Sequence, residues 1–459
     1  MTTSPATAGL PHQRLLGIGF GPSHLSMAAL HASRAGAGGA GSVHFLEARE
    51  TFAWHPDMLL PGARMQVAFL KDLVTPREPT SPFSFVNFLV AHGRLEQFLD
   101  LATLNPTRRE FVEYFRWAAA RLPGYASYGH RAEAIRPATG PDGTVTHLEV
   151  DHRGPDGTRH TATADHVSVA PGGSPVVPRG VGAAARESGA VFHNSAFLTG
   201  IEPFHRRGRD LPHRFLVVGA GQSAAEAFQY LAAEFPAAAV TLAHRGFALQ
   251  PANSSALANA IFAPAAVDLF HGADPARRRG ILAELRTTNY AAVDDTDIDA
   301  VAELLYDQRV RGGQRLAVRR FTELTACHPA GAGAAATLRD LLTGEEGTEE
   351  YDAVVLATGY DFTEARGLLA GIDRYLLRDE DGRLLVDRDY SVRTAPGFAP
   401  KVFLHGAAEH THGLTSTLLS LIAHRAGDIL DAVEATGAAR GPGTLPSTPT
   451  DHLLQGAHA

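Results

Sequence analysis

Twice along this chain a short apolar run breaks into closely spaced glycines and then into a helical pattern, and this repetition restricts the possible folds more than any other feature. In the first instance Arg14 to Gly17 runs into Gly17, Gly19, Gly21 and Pro22. A helical pattern over Leu25 to Ala32 follows, then a strand-like Ser42 to Leu46 that ends in Glu47. In the second, Arg214 to Val218 leads into Gly219, Ala220 and Gly221, a helix opening on Gln222 and Ser223 and running to Ala233, and a strand Ala239 to Leu242 that closes on His244 and Arg245. A glycine turn at a helix N-terminus lets the backbone approach a pyrophosphate, whose charge meets unpaired N–H groups and the positive end of the helix dipole. Strand, glycine turn, helix, strand is the order a dinucleotide-binding unit requires. Either turn alone could be a plain tight turn; both have the right continuation on each side.

The residue after each second strand differs. Glu47 supplies a carboxylate where ribose hydroxyls need an acceptor, whereas His244 and Arg245 put a cation where a 2′-phosphate would lie, so the second unit is expected to prefer NADPH to NADH. The alternative for Arg245 is a solvated side chain in a loop. At 459 residues the chain is too long for one ordinary domain. Its formal net charge of -8 argues against a nucleic-acid partner, which needs a concentrated basic surface. The dense basic run Arg277 to Arg279 reads as a solvated helix end. Cys327 is the only cysteine, which excludes an intramolecular disulfide, a Cys-x-x-Cys redox pair and a cysteine-based zinc site. No apolar run approaches the ~18 to 20 residues that span a bilayer. Residues 1–13 lack the pattern of a secretion signal and read as a disordered leader, so a cytoplasmic location is expected.

Between these landmarks, Tyr114 to Leu122 reads as an amphipathic helix, and Thr144 to His152 with His160 to Val169 as a hairpin. Pro251 to Asp307 is more helical, as a substrate-facing segment would be. Tyr351 to Ala357 is an apolar strand closing on Thr358 and Gly359, and Lys401 to Leu404 is another. The Gly/Ala tracts 35–41 and 330–336 read as loops, and the tail from Ala435 as disordered. His405, Glu409, His410 and His412 are close enough to raise a metal site, but their spacing matches no firm zinc pattern, and no metal is expected.

Two dinucleotide units with Ala357-Thr358-Gly359 closing a late strand resemble the two-dinucleotide-binding-domain flavoproteins, in which the first unit holds FAD and the inserted second unit NADPH. Many members that reduce disulfides carry a cysteine pair; with Cys327 alone, dioxygen is the expected electron acceptor. The stretches Phe52-Ala53-Trp54-His55, Met65 to Leu73, Pro79 to Phe85, Asn105-Pro106-Thr107-Arg108, Phe192 to Ser195, Gly219 to Glu226, Thr288-Asn289-Tyr290 and His412 to Leu421 are similar to signatures of the microbial N-hydroxylating monooxygenases. These are the ornithine and lysine N-hydroxylases of siderophore biosynthesis, and the resemblance covers about residues 14 to 430.

That resemblance implies an α/β fold of two dinucleotide-binding, Rossmann-like domains with a smaller helical substrate-binding region. FAD-binding parts would occupy 14–205 and 346–434, and an NADPH domain 206–345, with substrate contacts at about 251–310. It implies FAD contacts from Gly17, Gly19, Gly21, Pro22, Glu47, Trp54, His55, Gln66, Thr358, Gly359, His412 and Leu414, and NADPH contacts from Gly219, Gly221, Gln222, Ser223 and Arg245. Lys71, Asn259 and Ser420 would hold an amino-acid head group, while Asn289 would contact the substrate amine and the nicotinamide cofactor. Gln66 and Asn289 would flank the reacting atoms. Read from the residues, Lys71 lies in an apolar strand-like stretch, where a buried cation needs an anion; a substrate carboxylate or an internal pair such as Lys71–Asp72 would supply it.

The implied reaction is hydroxylation of the side-chain amine of L-ornithine through a flavin hydroperoxide, with dioxygen and a small-molecule amine as partners and a homo-oligomer, a tetramer by resemblance, as the assembly. Ala260 and Ser416 replace carboxylates usual in the family. That leaves L-lysine, a diamine or another primary amine as alternative substrates, and a redox-sensing FAD protein without turnover as an alternative of another class.

Overall fold

A computed structural model describes residues 10–35, 42–252, 255, 257–289, 292–362 and 365–438. The leader up to residue 9, most of the 35–41 tract and the tail beyond 438 lie outside them.

The first glycine turn grows out of the strand Gln13–Ile18, which lies between Val43–Glu47 and Arg159–Val169, all three parallel. Ala126–Tyr128 extends the sheet on one side. On the other, Val402–Leu404 pairs in parallel with the end of Arg159–Val169. The start of Arg159–Val169 instead pairs antiparallel with Val145–Arg153, which pairs with Arg131–Thr139. The expected hairpin is therefore two strands of a three-stranded meander. Leu15, Leu16, Phe45, Val167, Val402 and Phe403 are at most 1% exposed, and each such side chain contributes about 1.5–3 kcal/mol on burial. The helix Pro22–Ala35 packs on this sheet and against the closing helix Ile422–Ala438.

The second unit repeats the plan. Five parallel strands run in the order Leu316–Arg319, Ala239–Ala243, Arg214–Val218, Ala353–Leu356 and Val191–His193. Beside them lies an antiparallel meander of Thr322–Ala330, Gly333–Asp340 and Glu346–Tyr351. The second sheet thus draws strands from both sides of the 206–345 span. The tract 330–336, expected to be a loop, is instead a tight turn and the start of the middle meander strand. Ala334, Ala336 and Leu338 are buried with a period of two, and a Cβ on Gly333 would sit 2.2 Å from the Tyr351 carbonyl oxygen. Small residues there answer close packing of backbone on backbone.

In both units the chain leaves the sheet after the second strand and makes a long excursion before the third. Residues 48–125 carry the helices Phe85–Ala91, Leu95–Asp100 and Arg108–Ala120. Residues 244–315 carry Pro264–Gly272, Pro275–Asn289 and Asp295–Val310, with a two-residue pairing of Gln250–Pro251 and Ala292–Val293, in keeping with the helical character expected of 251–307. Both excursions start from the C-terminal edge of a parallel sheet, where open α/β folds bind ligands.

Candidate active site

At the first turn, Gly17 lies so close to the Phe45 ring that a Cβ would meet it at 2.1 Å, and Gly19 has φ +87°, with a Cβ position 2.4 Å from the Ala170 carbonyl oxygen. Gly21 faces open space, with nothing within 4 Å of its Cβ position, and Pro22 begins the helix. The two crowded glycines shape the turn and the open one leaves room for a ligand. Glu47 accepts hydrogen bonds from the backbone N–H of Phe20 (2.7 Å) and Arg49 (2.9 Å). A carboxylate offers about four acceptor sites, so capacity remains for a ribose diol.

Support comes from behind. His24 is fully buried, its ring nitrogens 2.6 Å from the Gly19 carbonyl oxygen and 2.8 Å from Ser168 Oγ. Burial outweighs the Gly19 hydrogen bond and lowers its pKa to about 4, so the ring is neutral and Nδ1–H donates to Gly19. Its edge meets His405 at 5.4 Å, and His405 Nδ1 accepts from Nε of the buried Arg425. Arg425 Nη1 also donates to the Thr415 and Ser416 carbonyls. A chain of buried polar groups thus joins the glycine turn to the 412–420 segment. Sequence reading missed His24 and Arg425 and weighed His405 only as a metal ligand; apart from the bond of His24 to Gly19, these groups are joined by contacts between residues distant in sequence.

At the second turn Gly219 has φ +153°, and a Cβ there would lie 2.2 Å from the Ala357 carbonyl oxygen. Gly221 caps the helix Gln222–Glu234 without a side-chain hydrogen bond, so the first-turn N–H groups beside Gln222 and Ser223 are available to a phosphate. Thr358 Oγ1 donates to the Val176 carbonyl, and the Gly359 carbonyl accepts from His193 Nε2 at 3.0 Å. These contacts fix the segment that covers Gly219. Arg245 is exposed, and among the described residues it has no carboxylate partner.

The two cradles meet through a polar cluster. Gln66 Nε2 donates to Gln222 Oε1 at 3.3 Å, and Gln222 Oε1 also accepts from the Asp294 N–H at 2.9 Å. Gln222 Nε2 donates to Glu226 (3.0 Å) and Asp297 (2.5 Å). Glu226 in turn receives both arms of Arg108, Nη1 at 2.8 Å and Nη2 at 2.6 Å, and Nη1 also reaches the Met58 carbonyl at 2.7 Å. Burial first, then the carboxylates of Asp297, Glu226 and Asp295, push the Asp294 carboxyl up, against the lowering effect of a hydrogen bond from Gln66. The residue expected beside the flavin therefore touches the helix expected to receive NADPH. Arg108 and Glu226 belong to stretches quoted above, but nothing local in the sequence announces their pairing.

The substrate residues fall into distinct settings. Lys71 is exposed in a turn closed by its N–H on the Ala68 carbonyl, a correction to the buried, strand-like setting expected for it. The Lys71–Asp72 alternative does not form: Asp72 is buried and accepts from the N–H groups of Val74, Thr75 and Phe85. Among the described residues Lys71 has no ion-pair partner. Asn259 is exposed on the turn Ala258–Phe262, which packs against Leu414–Thr417, with Ala260 beside it. Ser420 is buried with Oγ lacking a hydrogen-bond partner. Asn289 ends a helix that packs on Glu409–His412, and its side chain lies outside the described residues. Ser416 Oγ accepts from the Ala408 N–H. Leu414 is buried.

His412 is taken up by protein: its ring stacks on Tyr390 at 4.1 Å, and its nitrogens meet Thr411 Oγ1 and the Arg388 carbonyl. His410 Nε2 meets the Leu384 carbonyl at 2.7 Å. Among the described residues no group of three His, Cys, Asp or Glu side chains is arranged to hold a metal ion. Trp54 packs against the first core, and His55 follows it with φ 44°, its ring 5.8 Å from Tyr360. No helix of the described residues is long and apolar enough to cross a membrane.

A family model described as L-lysine 6-monooxygenase/L-ornithine 5-monooxygenase matches residues 12–362. An L-ornithine N(5)-monooxygenase of Pseudomonas aeruginosa is 38% identical over 429 residues, covering 94% of this chain and 95% of that protein. An ornithine N-hydroxylase of Kutzneria sp. 744, solved with reduced FAD, NADP+ and L-ornithine, superposes with a TM-score of 0.87 at 36% identity, covering 93% of this chain and all of the other. An L-lysine 6-monooxygenase of Pseudomonas syringae superposes with a TM-score of 0.80 at 33% identity, again covering 93% and 100%.

Proposed function

This chain belongs to the L-lysine 6-monooxygenase/L-ornithine 5-monooxygenase family, and we propose from that membership that it is an FAD- and NADPH-dependent monooxygenase that hydroxylates the side-chain amine of L-ornithine. The observation that supports the reading is the contact between the two glycine-turn units through Gln66 and Gln222, which would bring a flavin held by the first beside a nicotinamide held by the second. FAD, when bound, supplies the chemistry: it takes electrons from NADPH and delivers them to dioxygen, and the protein positions and shields.

The open face of Gly21 and the free acceptor capacity of Glu47 fit FAD. The uncapped helix at Gly221 and the unpaired Arg245 fit NADPH. For the substrate, Lys71 offers an unpaired cation to an α-carboxylate. Ser420 offers an orphan hydroxyl, and Asn259 an amide on the turn packed over Leu414–Thr417. Asn289 is assigned to the amine end.

The test is hydroxylamine formation with ornithine, lysine, putrescine and cadaverine at matched concentration, alongside NADPH oxidation. Ornithine should be best, lysine detectable and the diamines poor, because the small uncharged Ala260 and Ser416 loosen selection at the far end while the head-group contacts remain. Lys71→Ala should abolish amino-acid hydroxylation and leave flavin reduction by NADPH intact. A diamine outperforming both amino acids would overturn the ornithine reading, and flavin reduction with no amine-dependent product would favour a redox sensor. We further propose a siderophore or related biosynthetic role in the cytoplasm, and a homo-oligomer, by resemblance a tetramer. Exposed Val90, Leu99, Leu101 and Leu104 on one stretch of the first excursion support the assembly, and light scattering on the purified enzyme tests it.

A further inference from the structure

The second nucleotide site contains more than the residue the sequence points to. The strand Leu316–Arg319 runs beside Ala239–Ala243 with Ala243 opposite Arg319. The ladder continues past both strand ends: the His244 N–H donates to the Arg319 carbonyl, the Thr322 N–H to that of His244, and the Phe321 N–H to that of Gly246. The loop carrying Arg245 is thus stitched to the loop carrying Arg320, at the sheet edge where the adenosine end of a nucleotide lies.

The arginines of this region divide into two groups. Arg319 is paired with Glu349, Arg209 with Glu234 and Arg311 with Asp307. Among the described residues Arg245 and Arg320 have no carboxylate within ion-pair distance. Arg320 instead lies with its guanidinium 5.1 Å from the centre of the Phe247 ring, and that ring is 65% exposed. Beside them His244 is 3% exposed, its ring turned toward the Gly246 backbone and with no side-chain partner. Two cations without carboxylate partners, a buried imidazole and an exposed aromatic residue on one pair of loops are a set of groups lacking an anion and a planar ring.

We propose that Arg320 shares the 2′-phosphate of NADPH with Arg245, with His244 completing the phosphate site and Phe247 offering its face to the adenine. A phosphate dianion has three oxygens and a guanidinium grips two at most, so a second cation accounts for selection that one arginine provides only in part. Phe247, under Arg320 and tilted against the Phe321 ring at 5.9 Å, holds the guanidinium in place by cation–π contact and keeps enough exposed surface to meet a base. This rests on the assignment of NADPH to the second unit and extends it to named residues.

The test uses the FAD-loaded enzyme and two fragments, 2′,5′-ADP and 5′-AMP, titrated by calorimetry, so that turnover is not needed. The unmodified protein should bind 2′,5′-ADP more tightly. Arg320→Gln should weaken 2′,5′-ADP about tenfold or more and leave 5′-AMP within about twofold, since each bond to a charged group is worth at least that factor. Arg320→Lys should retain part of the preference, and Arg245→Ala with Arg320→Gln together should abolish it. Phe247→Ala should weaken both fragments alike. Wild-type discrimination persisting in Arg320→Gln while Arg245→Ala loses it would remove Arg320 from the site. Equal binding of the two fragments by the unmodified protein would overturn the NADPH assignment itself, a separate outcome.

Discussion

Replacing Glu226 with Gln tests the junction between the two units with the smallest change of shape. Glu226 is 6% exposed and receives a two-armed guanidinium at 2.8 and 2.6 Å, while the Arg108 side chain is 13% exposed. Glutamine keeps one acceptor oxygen and removes the charge, leaving Arg108 with the Met58 carbonyl as its remaining acceptor at full strength. Removing one partner of a buried pair costs about 3–5 kcal/mol; the residual exposure of Arg108 and its bond to Met58 place this case at about 3. With a urea slope of about 1–3 kcal/mol per M, the midpoint should fall by about 1–3 M. Trp54 and Trp117, the two tryptophans of the chain, both lie in the first excursion, and Trp117 shares a helix with Arg108. Their fluorescence therefore reports the unfolding of the half that carries Arg108, which matters because a chain of several packed units need not unfold in one step. The double variant Arg108→Met, Glu226→Leu should recover most of the loss, because an apolar pair leaves no charge buried alone. A midpoint for Glu226→Gln within about 0.2 M of wild type, or losses in the double variant that simply add, would refute the reasoning, since about 0.5 kcal/mol is the scale of ordinary surface changes.

Two further outcomes follow from the site. A Cβ at Gly21 meets nothing in the protein, so Gly21→Ala should fold with unchanged far-UV circular dichroism yet lose bound FAD on desalting; a full flavin complement would show that the ligand does not approach there. On acidification, His24 and His412 are buried neutral, with pKa values lowered by burial to about 4 and about 3 against 6.5 when unfolded. The unfolded chain therefore takes up protons first, and stability present above pH 6.5 is lost as pH falls toward 4, at up to about 1.4 kcal/mol per unit for each ring. Melting temperature measured between pH 7 and 4.5 should fall accordingly, and less steeply in His24→Asn; parallel curves would exclude His24 as a contributor.

The glycine turns, Glu47 and Arg245 are legible in the sequence because each acts through its own backbone or its position at a strand end. Lys71 was misplaced because an apolar neighbourhood such as Val67 to Leu73 suits a compact turn over the core as well as a strand. The alanines of 330–336 look like a loop because smallness reads the same whether it serves flexibility or close packing. Arg108 with Glu226, and Arg425 with His405, are invisible for another reason: partners 118 and 20 residues apart meet through tertiary packing, which no local pattern records.

Each excursion leaves one strand and returns on its immediate neighbour, Val43–Glu47 to Ala126–Tyr128 and Ala239–Ala243 to Leu316–Arg319. Its two anchor points therefore lie on adjacent strands about 4.8 Å apart, offset along them by two residues in the first unit and three in the second because the strands run parallel. Such an arrangement is modular: an excursion can be lengthened, shortened or exchanged between its anchors without altering strand order or either glycine turn. Inheritance can act separately on the two parts, holding the nucleotide cradles fixed while the loops above them drift toward a different amine.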